Sequence, residues 1–88
     1  MKRNILIVED EEKLALLLSD YLNQANFMTS ILGNGLDVIP RVREDMPDLI
    51  IDERGIMHDI LERMPTIKSK FQVDNSGKVY TRNEVQKP

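Results

Sequence analysis

Two groups of acids have the residue types and spacing for chemistry. Glu9, Asp10, Glu11 and Glu12 follow directly on the apolar run Ile5–Val8, and Asp52 and Glu53 follow directly on Leu49, Ile50 and Ile51. Carboxylates gathered in a dry crevice repel one another, so the arrangement is costly unless a cation neutralises it. Mg²⁺ suits such a place, because it takes a few carboxylate oxygens and keeps several waters. Glu9, Asp10 and Asp52 are the candidate metal ligands. A carboxylate beside that cation can also attack a phosphoryl group, the metal screening the repulsion between the two anions. Asp52 is the candidate phosphoacceptor and Glu53 the alternative occupant of that position. Each acid also has a plain role open to it. An acidic first turn is favoured by the helix dipole, Asp52 is a suitable cap for a helix beginning near Gly55, and Glu53 reads equally as a solvated acid.

These acids need elements to hold them. Ile5–Val8 is a continuous branched run, as in a strand buried on both faces. Leu14, Leu17, Leu18, Tyr21, Leu22 and Ala25 repeat at helical spacing, which predicts an amphipathic helix. Phe27–Leu32 reads as a second strand. Asn34 can cap a second helix carrying Leu36, Ile39 and Val42, kept short by Pro40 and ended by Met46-Pro47. Leu49–Ile51 is the third strand. The order β-α-β-α-β predicts parallel strands with right-handed crossovers, and sites in such sheets form at the carboxyl ends of the strands. All the acids named above fall there.

The string I-L-I-V-E-D-E-E-K-L, a Tyr-Leu helix end, G-x-G and then P-D-L-I-I-D resembles the receiver domain of two-component response regulators, most closely those of the OmpR type, over residues 4–53. The resemblance implies an α/β, partial flavodoxin-like sheet. It also implies an Mg²⁺-binding acidic pair at Glu9 and Asp10, and an acceptor aspartate at the end of the third strand, phosphorylated by a histidine kinase. The chain departs from the family's P-D-L-I-x-x-D pattern by one residue, so the acceptor position falls on Glu53 while Asp52 stands one place before it. Side chains alternate along a strand, so a one-residue slip turns Asp52 to the other face unless a bulge restores it. The family's later lysine, which stabilises phosphate charge, has a match in Lys87-Pro88 only at too short a spacing. Two more βα units, each about 25–30 residues, would have to fit between.

After Gly55 the pattern changes. Ile56, Met57, Ile60, Leu61 and Met64 predict an amphipathic helix closed by Pro65, with His58 on its polar side. Phe71–Val73 and Lys78–Thr81 flank Asp74-Asn75-Ser76-Gly77, which predicts a β-hairpin. The expected organisation is therefore a half-receiver, residues 1–53, and a helix-plus-hairpin tail, residues 54–88, that packs on it or is completed by a second chain. A bare three-stranded sheet would leave an edge to cover, so self-association is expected.

Charge divides at the same place. Residues 1–53 carry 5 Lys/Arg against 11 Asp/Glu, and residues 54–88 carry 7 against 4. Lys68, Lys70, Lys78 and Arg82 lie around the hairpin, whose V-D-x-x-G-K-V form is similar to that of AbrB-type swapped-hairpin transcription factors. A nucleic-acid-binding or dimerisation module is thus the alternative, and an engineered or rearranged chimera a third. No cysteine is present among the 88 residues, which excludes disulfides and thiolate metal sites. No apolar run approaches the roughly 20 residues of a membrane span, and four apolar residues are too few for a signal-peptide core, so a cytoplasmic location is expected. The expected function is a truncated or divergent receiver-like signalling domain. It would act by contact with a histidine kinase or other signalling protein, not as an enzyme, with phosphotransfer weak or lost.

Overall fold

The computed structural model describes residues 2–83. The elements run β1 (Asn4–Val8), α1 (Glu12–Gln24), β2 (Met28–Leu32), a 3₁₀ turn (Gly35–Asp37), α2 (Val38–Asp45), β3 (Leu49–Ile51), α3 (His58–Glu62), α4 (Pro65–Lys68), β4 (Phe71–Val73) and β5 (Val79–Arg82). The five strands form one sheet in the order β2-β1-β3-β5-β4. β1 pairs in parallel with both β2 and β3, with Ile7 opposite Ile31 on one side and Ile51 on the other. The α/β fold expected from the alternation of strands and helices is the fold observed.

Strand β1 is the centre because its residues suit burial on both faces. Leu6 and Val8 point into a cluster with Val38, Ile39 and Val42 of α2, Leu61 of α3, Ile67 of α4, Phe71 and Tyr80. Ile5 and Ile7 point the other way, into a smaller cluster with Ala15, Leu18 and Leu22 of α1. Burying each such aliphatic side chain is worth about 1.5–3 kcal/mol, so the alternating faces of one five-residue strand anchor both layers. One helix covers one face and three shorter helices cover the other.

The tail joins the sheet within the same chain. β5 lies antiparallel to β3 with Tyr80 opposite Ile50, and β4 pairs with β5 at the sheet edge. The hairpin turn is built by Asp74, whose carboxylate accepts from the Ser76 hydroxyl (2.8 Å) and from the Lys78 and Val79 amides (3.2 Å each). Gly77 supplies the left-handed residue at φ +77. Asp48, at the start of β3, ties three strands together. Its carboxylate accepts from the Asn4 amide of β1 at 2.8 Å and from the Arg82 guanidinium of β5 at 2.6 Å.

Three local expectations are revised. The apolar stripe read on α1 is turned by about one residue: Ala15 and Ser19 are buried against the sheet, whereas Leu17 is 66% and Tyr21 72% exposed. Small residues face the strands because they allow close approach, and the Ser19 hydroxyl bonds that of Thr29 at 2.6 Å. Pro65 does not simply close the tail helix. It opens α4 from its first position, where its missing N–H costs nothing, and so brings Ile67 into the core. Asn34 does cap, but it caps the 3₁₀ turn, accepting from the Leu36 and Asp37 amides (2.9 and 3.2 Å) before α2 begins. Pro40 then sits in the first turn of α2, where it is tolerated.

Candidate functional site

β1 continues to β2 on one side and β3 on the other, with α1 and α2 on opposite faces of the sheet. The carboxyl ends of β1 and β3 therefore flank the point where the winding reverses, where open α/β sheets form binding crevices. Glu9 follows β1 there and is 2% exposed; Asp52 follows β3 and is fully buried. The backbone holds both. The Glu9 amide donates to the Leu32 carbonyl (2.9 Å), and the Asp52 amide donates to the Lys78 carbonyl (2.7 Å), which extends the ladder into the tail strand.

The two carboxylates have different surroundings. Oε2 of Glu9 accepts from the Glu11 amide at 2.9 Å, beside the N-terminus of α1. Nε of Arg54 stands 3.3 Å from that same oxygen and 3.5 Å from Oδ1 of Asp10, bridging the acidic pair. Oε1 of Glu9 is buried with no hydrogen-bond partner. A carboxylate oxygen left bare in the interior is a place for a donor or a cation.

Asp52 is turned into its own chain. Its Oδ1 accepts from the Ile56 amide (2.8 Å) and its Oδ2 from the Met57 amide (3.0 Å), fixing the turn that leads into α3. Burial pushes its carboxyl above the ordinary value. The two amides and the nearby His58 oppose the shift, and the charge of Glu9 adds to it. Asp52 has the side-chain parity of Ile50, which faces the α2–α3 cluster. Glu53, next along, is exposed and pairs with Lys78 at 3.7 Å.

Of the four residues singled out by sequence, then, Glu9 and Asp10 share one cation, Asp52 lies near enough to sense Glu9, and Glu53 faces outward. Among the described residues no three His, Cys, Asp or Glu side chains converge as a metal-binding group. The oxygen donors of Glu9 and Asp10 nonetheless fit Mg²⁺, which takes one or two carboxylates and fills its shell with water, and Oε1 of Glu9 is buried without a partner. Asp52 has spent a lone pair of each oxygen on an amide. Arg54 was not foreseen. Its signal is countable: three residues on from the paired Ile7 and Ile51 are Asp10 and Arg54.

The basic set of the tail is largely answered by the chain's own acids. Lys78 faces Glu53, Arg82 faces Asp48, and Lys68 pairs with Glu62. Lys87-Pro88 lies outside the described residues. No helix of the described residues is long and apolar enough to cross a membrane.

No family model matches the chain. It is 51% identical over 47 residues, 53% of its length, to the transcriptional regulatory protein BaeR of Escherichia coli O6:H1, of which the match spans 20%. It is 31% identical over 77 residues, 83% of its length, to sporulation initiation phosphotransferase F of Bacillus subtilis, spanning 62% of that protein. It is 37% identical over 51 residues to the DNA-binding response regulator MtrA of Mycobacterium tuberculosis, spanning 22% of it. The chain thus covers less than two thirds of each of these relatives. The chain is similar to segments of response regulators, and both this similarity and its mixed α/β sheet are consistent with a receiver-domain segment.

Proposed function

We propose that this receiver-type domain signals by protein–protein contact, with phosphoryl transfer weak or lost. The observation that carries the reading is the state of Asp52. A phosphoacceptor carboxylate must present one oxygen to phosphorus, so that an O–P bond forms as the bond to the donor's leaving group breaks. Asp52 is fully buried, and each of its oxygens is held by an amide. Glu53 reaches solvent, in the turn after β3, but faces Lys78. Neither stands free beside Glu9 and Asp10. Those two carboxylates are the residues that would hold Mg²⁺, and the ion would screen charge between a carboxylate and an incoming phosphate.

The partner is a histidine kinase or another signalling protein, and a second copy of the chain is a further candidate. Leu16, Leu17 and Tyr21 present an apolar stripe on α1, 51–72% exposed, next to the open edge strand β2. No observation favours nucleic acid, since three of the four hairpin-side cations face acids of their own chain.

The test is incubation with a small phosphodonor and Mg²⁺, followed by intact-mass measurement. The expected result is little or no gain of one phosphoryl mass. A stoichiometric gain that disappears in Asp52→Asn overturns the proposal and restores a working acceptor.

A further inference from the structure

A buried carboxylate demands a counter-charge, and here the chain provides one from an unusual place. Glu9 is 2% exposed, its Oε2 lies 3.3 Å from Nε of Arg54, and its Oε1 has no partner. Asp10, half exposed, completes the grip on the same guanidinium nitrogen at 3.5 Å. Arg54 itself is 55% exposed and sits in the turn between β3 and α3, just before Gly55 at φ +68. Its Nε is thus held by the acidic pair while more than half of the side chain is exposed. An arginine in that position can leave by side-chain rotation alone, with no rearrangement of the sheet.

We propose that Arg54 is a tethered counter-cation that competes with a divalent metal for Glu9 and Asp10, so that the pocket accepts the metal only when the guanidinium swings out. This rests on the reading above that Glu9 and Asp10 are the cation-holding pair. Two cations cannot share these oxygens at close range without strong repulsion, because the site is sheltered and its effective dielectric is well below that of water. The unpartnered Oε1 makes the competition possible, since Arg54 leaves it unsatisfied and a metal with its waters would engage it. The domain is then held in a closed electrostatic state at low metal, with the switch carried by one side chain.

The experiment is an Mg²⁺ titration of the full chain followed through the Glu9, Asp10 and Glu11 amide resonances, the last being bonded to Glu9 itself at 2.9 Å. Wild type, Arg54→Ala, Arg54→Gln and Lys78→Ala are compared, and the amide spectrum of each shows whether it is folded. Lys78 is a half-exposed cation facing Glu53, so its loss removes the same charge from the same end of the sheet without touching the pair. The expected result is an affinity at least about fivefold tighter in both Arg54 variants than in wild type, with Lys78→Ala close to wild type. Equal affinity in wild type and the Arg54 variants overturns the competition while leaving Glu9 and Asp10 as a cation pair. Absence of binding in every folded variant overturns the cation reading itself, and the competition with it. Equal tightening by Lys78→Ala overturns the proposal in favour of a general charge effect. If Arg54→Ala does not fold, Arg54→Gln, which keeps the packing of the stem, decides.

Discussion

Residues 2–53 place three strands side by side by crossing over through helices, whereas residues 54–83 add two more by a tight turn. In the first region every strand neighbour is far away in sequence, so its register depends on which side chains each face must bury. In the second the pairing of β4 with β5 is local and is dictated by Asp74 and Gly77. The chemistry-bearing carboxylates lie on the first, while the groups that answer them come from the second. Arg54 meets Glu9, the amides of Ile56 and Met57 meet Asp52, and Lys78 meets Glu53. The two regions are thus joined at the carboxyl ends of β1 and β3, where the acids of the first meet groups of the second.

The comparison breaks most sharply if the two regions can be unfolded separately. Leu6 in the first region and Leu61 in the second are each 1% exposed in the same cluster. Leu6→Ala and Leu61→Ala should each cost about 2–5 kcal/mol in urea denaturation, a large part of the stability of so small a domain. Both should also accelerate amide exchange throughout β1 and β3. If Leu61→Ala leaves exchange in β1 unchanged, the tail is an appendage and not part of the core.

A smaller effect sharpens the junction. Asp52→Ala leaves two amides without their acceptor, at a cost of about 1–3 kcal/mol, partly offset by removing a buried charge. The sign with pH follows from the raised carboxyl, for which burial is the largest cause. The folded state holds that proton more tightly than the unfolded chain does. The stabilisation this brings is complete below the ordinary carboxyl range and is lost as pH rises through the raised value. A carboxyl-detected NMR titration should therefore find Asp52 protonating at higher pH than an ordinary exposed aspartate. The gap in stability between wild type and Asp52→Asn should move against wild type as pH rises through that region.

The smallest effect on folding is expected where the first region is least covered. Leu17→Lys and Tyr21→Lys lie on the open side of α1 and should change stability by no more than about 0.5 kcal/mol. Sedimentation should nonetheless show reduced self-association if that stripe is a contact surface. Unchanged sedimentation of a self-associating wild type would move the contact elsewhere, for instance to an open sheet edge.

Much of this architecture was readable beforehand, and the remainder failed for physical reasons. Ile5–Val8 has the pattern of an interior strand, and Asp74–Gly77 that of a turn joining two paired strands; both are observed. The rotation of α1 was not legible, because Leu17 and Tyr21 are as apolar as Leu18 and Leu22. What decides between them is how closely Ala15 and Ser19 let the helix approach. The direction of Asp52 was also open. A carboxylate at a strand end serves a metal and a turn equally well, and the choice was made by amides four and five residues further on. The Arg54 contact needed the β1–β3 register first, which is a tertiary fact.

The strand nearest the end of the described chain, β5, lies inside the sheet, between β3 and β4. As the polypeptide leaves the ribosome, β3 has no neighbour on that side until residues about thirty positions later emerge and fold back upon it. Throughout that interval an apolar strand edge is available to any other extended segment, including its own counterpart on an adjacent nascent chain. Synthesis rate through the tail therefore bears on how much of the product closes on itself and how much exchanges strands with its neighbours.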